Sequence, residues 1–172
     1  MKTDRPHGPP LDAYARIRPG DALPGATLAV TRESIRAFGE ATLDFNALHF
    51  DDDAAARHGV AGAPPEVIAH GMSTFSLITR MVTDWARPLG AGHRRLETRW
   101  RLPARPGDTL RAGAIVKQIL ETAGGRWVVL DVEVRNQHDQ ILATGEAMVK
   151  FPRPETPPRG SGNGNAQAVR NP

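Results

Sequence analysis

The sequence contains no cysteine. That excludes disulfides, thiolate nucleophiles, cysteine-ligated zinc and iron–sulfur clusters together. No apolar run approaches the ~20 residues that a membrane-spanning helix needs. The opening Met1-Lys2-Thr3-Asp4-Arg5-Pro6 is charged and has no hydrophobic stretch behind it, unlike a secretory signal. The expectation is a soluble, cytoplasmic protein with no membrane partner. A basic body is also lacking. The formal charge is +3, but residues 1–10 and 152–172 together hold five bases and two acids. Residues 11–151 then carry 17 of each sign, so the excess sits in the tails. A nucleic-acid surface needs its excess on the folded body, so no nucleic-acid partner is expected.

What is present fits one domain, since 172 residues fall short of two ordinary domains of about 100–150 residues each. Residues 152–172 contain five Pro and three Gly and almost nothing apolar. Such a segment cannot bury enough surface to offset its ordering entropy, so a disordered tail is expected there and over residues 1–10. The domain is assigned to 11–151.

Within it, Pro24-Gly25 marks a turn, and Thr27-Leu28-Ala29-Val30 reads as a short strand. Thr31 then suits a helix N-cap, with Glu33 at the positive end of the helix dipole. Ile35, Phe38 and Thr42 recur at helical spacing over 32–43. Residues 44–66 look irregular, with a short helical turn at 51–56. Pro64-Pro65 allows a helix only after it. Residues 67–86 form the most apolar helical pattern, nearly all round, with its proper start near His70. Strands follow at 95–102, 109–121, 126–135 and 140–151, each alternating or bounded by turn signals. Long hairpin-linked strands with one buried helix imply an α+β fold, an antiparallel sheet wrapped on a central helix.

Two clusters carry chemistry. Asp44-Phe45-Asn46-Ala47-Leu48-His49 sets an acid, an amide and an imidazole within six residues of a loop. A carboxylate and a histidine sharing one water make an acid/base pair. The plainer reading is that Asp44 and Asn46 only form turns and that His49 lies on the surface. Ala69-His70-Gly71-Met72 opens the core helix. Unpaired N–H groups at a helix start, beside a glycine that admits a ligand, suit an oxygen that gains charge. The plainer reading is that Gly71 permits close packing.

Both motifs in this order resemble the MaoC-like, (R)-specific enoyl-CoA hydratase family, which has a hot-dog fold. The resemblance covers about residues 20–151. It rests on the Asp-x-Asn-x-x-His spacing of Asp44, Asn46 and His49, on His70-Gly71-Met72, and on the closing strand 143–149. It implies hydration of a trans-2-enoyl-CoA to a (3R)-hydroxyacyl-CoA, or the reverse. Asp44 and His49 would activate one water, the Gly71 N–H would polarise the thioester carbonyl, and Asn46 would orient the pair. Ser76 matches the family's core-helix serine, and Met72, Arg95 and Arg99 join it as substrate-binding candidates. No metal or cofactor is implied, since the acyl-CoA or acyl-carrier thioester is itself the substrate. A homodimer through a sheet edge is implied as well. The chain departs from the family at Leu43, where Gly is usual, and at Ala47, where Pro is usual. Gly59 to Glu66 lies between the motifs and bears on acyl-chain access.

Other residues receive plain readings. Asp51-Asp52-Asp53 reads as a solvated helix start, His58 and His93 as surface residues, and His70 as structural. Arginines 95, 99 and 101 also suit the solvated face of a strand. Two rivals share the fold: an acyl-CoA thioesterase and a non-catalytic acyl-thioester-binding partner subunit.

Overall fold

A computed structural model describes residues 13–58 and 65–153. The expected tails, apart from Pro152 and Arg153, lie outside the described residues, as do residues 59–64 of the linker between the motifs.

Local chemistry starts and stops the early elements. After a single turn α1 (Ala13–Arg16) and a short strand β1 (Ala26–Ala29), helix α2 spans Arg32–Thr42. Thr31 caps it through a reciprocal pair: Ser34 N–H donates to Thr31 Oγ1 at 3.1 Å, and Thr31 N–H donates to Ser34 Oγ at 2.9 Å. The helix ends at Leu43, which takes the left-handed conformation with φ 60°. Glycine is the usual residue at such a C-terminus. The family's Gly-to-Leu departure therefore falls on a position whose backbone favours glycine.

A 3-10 turn over Ala47–His49 and helix α3 (Asp52–His58) follow. Asp51 Oδ1 accepts from Asp53 N–H and Ala54 N–H, the work of a helix start. Asp52 stays about half exposed, as a solvated helix start would be, and also makes contacts of its own. It accepts from Arg32 at 3.0 Å and from the Val67 N–H at 2.8 Å, tying α2 to the approach of the core helix.

The core helix α4 spans Gly71–Ala86. Residues 67–70 lie outside the helix and lead into it. It buries Thr74, Leu77, Ile78, Met81, Val82 and Ala86. Met72 is 48% exposed, and Phe75 and Trp85 are half-buried, so the burial is one-sided rather than all round.

Five antiparallel strands wrap α4: β1, β2 (Gly92–Trp100), β3 (Thr109–Thr122), β4 (Gly125–Arg135) and β5 (Ile141–Phe151). The order is β1-β3-β4-β5-β2, so β2 lies at the edge beside β5. This is the hot-dog arrangement that the resemblance implies. Val128, Leu130, Val132 and Val134 point at α4, as their period of two predicts. Gly145 lets β5 and β2 meet, since a Cβ there would lie 2.0 Å from the Glu97 carbonyl oxygen. Strand β2 ends two residues early. Leu96 and Thr98 are half-buried, while Trp100 and Leu102, at the same alternating positions, are 50% and 42% exposed. His93 is half-buried, not a surface residue, and its Nε2 meets the Arg95 carbonyl at 3.1 Å.

Candidate active site

Three chain segments meet around Asp44. The left-handed residue at 43 turns the chain so that the Asp44 N–H donates to the Gly39 carbonyl at 3.1 Å. Glycine is required at 39 by close approach, because a Cβ there would stand 2.5 Å from Phe50 Cζ and 2.9 Å from the Asp44 carbonyl oxygen. The Asp44 carboxylate stays exposed and accepts from the Asn46 N–H at 3.3 Å. Asn46 caps the next turn, its Oδ1 accepting from the Leu48 N–H at 3.2 Å. Its side chain therefore shapes the turn that carries His49.

His49 Nδ1 lies 2.7 Å from the Ile68 carbonyl oxygen. A carbonyl only accepts, so Nδ1 carries the proton and Nε2 holds the free lone pair. Burial disfavours the charged ring and lowers its pKa below the usual 6.5, and nearby His70 acts in the same direction. The Ile68 hydrogen bond and the Asp44 charge oppose this without reversing it. His49 is thus a neutral base at neutral pH.

His70 is 2% exposed and stacks on His49 with ring centroids 3.7 Å apart. Its Nε2–H donates to the Asp44 carbonyl at 3.1 Å, while its Nδ1 has no partner among the described residues. This buried ring fits the structural reading, since it joins the Asp44 backbone to the start of α4. Ligand atoms of Asp44, His49 and His70 all lie within 4.8 Å of one another. The two imidazoles stack at 28° to one another, and His49 Nδ1 and His70 Nε2 are each engaged by a backbone carbonyl.

Gly71 opens α4 with no side-chain cap from His70. First-turn N–H groups have no intrahelical acceptor and sit at the positive end of the helix. Trp100 covers the other side of Gly71, its Nε1–H donating to the Gly71 carbonyl at 3.0 Å. Neither Trp100 nor the His49–His70 stack has a signal in the sequence, since the partners lie 29 and 21 positions apart. The Asp-x-Asn-x-x-His spacing did single out the loop.

The remaining candidates lie further afield. Ser76 is exposed and donates to the Met72 carbonyl at 2.9 Å, one turn back on the same face of α4. Arg95 and Arg99 are exposed. Alternation along β2 puts them on the face opposite Trp100, and Arg95 pairs with Glu97. The structure does not bring them to the Asp44–His49 pair. The His58 side chain lies outside the described residues.

Residues 18–140 match the family profile described as MaoC like domain, named for the MaoC dehydratases. The chain belongs to the MaoC-like dehydratase family. A mitochondrial 3-hydroxyacyl-[acyl-carrier-protein] dehydratase of Arabidopsis thaliana is 26% identical over 137 residues, 79% of this chain and 78% of the relative. The solved (R)-hydratase from A. caviae involved in PHA biosynthesis is 26% identical with a TM-score of 0.67, covering 80% of this chain and 98% of that one. The ChsH1-ChsH2 complex from Mycobacterium tuberculosis shares the fold, with a TM-score of 0.66 at 24% identity, covering 78% of this MaoC-like chain and 98% of the solved one. Among the described residues, no helix of this family member is long and apolar enough to cross a membrane.

Proposed function

We propose that this protein adds water to a trans-2-enoyl thioester, giving a (3R)-hydroxyacyl thioester, or runs the reverse dehydration. One observation carries the reading. The Ile68 carbonyl accepts from His49 Nδ1 and leaves Nε2 as the basic nitrogen, and ligand atoms of His49 and Asp44 lie within 4.8 Å of each other. Asp44 and His49 then hold one water between them. His49 Nε2 takes a proton as the water oxygen bonds to C3 of the substrate. Negative charge moves through C2 to the thioester oxygen, where the Gly71 N–H and the α4 dipole receive it. The Asp44 carboxylate stabilises the imidazolium, and the proton returns to C2. One O–H bond and the C2–C3 π bond break, and one C–O and one C–H bond form. The chemistry needs no metal or redox cofactor, because conjugation already activates the double bond.

The substrate class, an acyl-CoA or acyl-carrier thioester, follows from this reading. A homodimer is a further part of the proposal, supported by the sheet edge. Among the described residues, strand β2 has β5 on one side and no strand on the other, and an open edge invites pairing. Light scattering should give twice the chain mass; a monomer with full activity would refute the dimer.

The decisive experiment follows loss of the conjugated absorbance of crotonyl-CoA with wild type, Asp44→Asn and His49→Ala. Acid–base groups contribute about 10²–10⁴-fold, and losses of that order are expected in both variants, with melting temperatures near wild type. A wild type inactive on short, long and branched enoyl thioesters would refute hydration. Thioesterase action or a partner-subunit role would then stand ahead.

A further inference from the structure

The buried ring of His70 touches both members of the proposed acid–base pair. Its Nε2–H donates to the Asp44 carbonyl at 3.1 Å. The Asp44 N–H in turn donates to the Gly39 carbonyl at 3.1 Å. The peptides on both sides of the Asp44 α-carbon are therefore held, and with them the direction in which the side chain leaves the backbone. The face of the same ring stacks on His49, with 3.7 Å between centroids. The Ile68 carbonyl fixes where His49 Nδ1 lies, but one hydrogen bond leaves the tilt of the ring about that line unset. A second ring against its face sets the tilt.

His70 is itself a firm base. It is 2% exposed, and its carbonyl accepts from the Ser73 N–H at 2.9 Å and the Ser73 Oγ–H at 2.7 Å. Phe38 and Phe50 pack around the imidazole, with ring centroids 5.1 and 6.1 Å from it. Space-filling alone does not explain an imidazole here. A buried polar atom left unpaired costs about 1–3 kcal/mol, and His70 Nδ1 has no partner among the described residues. A phenyl ring would fill the same space without that cost, but it has no N–H to offer Asp44.

We propose that His70 is a positioning residue that sets both groups of the pair at once: its Nε2–H pins the Asp44 backbone, and its face fixes the plane of His49. The catalytic consequence rests on the hydratase reading; the two contacts do not. Asp44 and His49 act together on one water, so a change in their mutual setting costs rate more than affinity.

The test splits the two contacts. His70→Phe keeps a ring face and removes the donor, whereas His70→Gln keeps an N–H donor and removes the ring. Crotonyl-CoA hydration is measured per folded molecule, with melting curves taken in parallel. In each variant kcat should fall about 10–100-fold with KM little changed, within the cost of misplacing a reacting group by up to 1 Å. The protonated ring nitrogens are identified by ¹⁵N–¹H spectra of histidine-labelled protein, a property that loss of a neighbouring ring current does not mimic. Wild type should show His70 protonated at Nε2 and His49 at Nδ1. His49 should keep that form in His70→Phe and mix both tautomers in His70→Gln. Unchanged kcat per folded molecule in both variants overturns the proposal and leaves His70 a structural residue. A loss in only one of them overturns the claim that one ring sets both groups. A wild-type His70 proton on Nδ1, which needs no variant to observe, overturns the tether, and an unmixed His49 in His70→Gln overturns the stack. If wild type hydrates nothing, the hydratase reading falls, while these spectra still decide whether His70 orders His49.

Discussion

Replacing Gly39 with alanine sets helix propensity against tertiary contact, and the two predict opposite results. Gly39 lies inside α2, where alanine is intrinsically better by about 0.8–1.0 kcal/mol. On propensity alone the variant gains about 2–4 °C in Tm for a domain near this size. The structure says otherwise. The new methyl would stand 2.5 Å from Phe50 Cζ and 2.9 Å from the Asp44 carbonyl oxygen. The phenyl ring can swing, but the carbonyl is backbone and is also held by His70 Nε2. Overpacking of this kind costs about 1–3 kcal/mol, so the net runs from neutral to a loss of about 2 kcal/mol. The carbonyl must retreat from 2.9 Å to the 3.4 Å of ordinary contact, about 0.5 Å. Because 1 Å of misplacement costs about 10²-fold, a shift of half that predicts roughly a tenfold loss of kcat. Urea unfolding followed by circular dichroism, beside crotonyl-CoA hydration, measures both effects. Ala37→Gly on the exposed side of the same helix is the control; it should lose about 1 kcal/mol and keep its kcat. A Gly39→Ala protein with raised Tm and wild-type turnover would refute the reasoning.

The remaining predictions concern pH and strain. Burial lowers the His49 pKa from 6.5, so kcat/KM should fall only as pH drops below that value, when the base becomes protonated. The same shift affects stability. Between the two pKa values the unfolded chain binds the proton and the folded chain does not, so the contribution of His49 is complete above pH 6.5 and is lost as pH falls through its lower folded pKa. His93 shifts in the same direction, chiefly through burial, and adds to the trend; a urea midpoint that rises as pH falls from 7 to 5 in wild type but not in a His49→Ala, His93→Ala double variant would refute this sign. Leu43→Gly should stabilise the protein by about 1 kcal/mol, because Leu43 is left-handed and 77% exposed, so strain is relieved and little burial is lost. Denaturant titration checks this, and a lower midpoint would show that the leucine side chain makes a contribution larger than the strain.

The sequence by itself determined whatever depends on near neighbours. Thr31 caps α2 through a residue three positions on, and Pro106-Gly107 turns the chain where Gly107 takes φ 89°. The period of two in β4 decides which face meets the helix. The Asp44, Asn46 and His49 spacing falls in this class, since Asn46 shapes the very turn that carries His49. Edge effects were less legible. The apolar alternation of 95–102 predicts a buried Trp100, but alternation cannot tell an edge strand's end from its middle. Asp52 is solvated as its sequence suggests, but its bond to the Val67 N–H, 15 positions away, has no signal in the sequence.

Only the tertiary structure decided the chemistry of the site. The tautomer of His49 comes from Ile68, 19 residues away, and the tie on Asp44 comes from His70, 26 residues away. The hydrogen bond to the Gly71 carbonyl comes from Trp100, 29 residues away on the far edge of the sheet. Hydrogen bonds and burial act over a few ångströms of space. Sequence spacing predicts such contacts only within a turn or a hairpin, and beyond that the packing of the sheet around α4 chooses them.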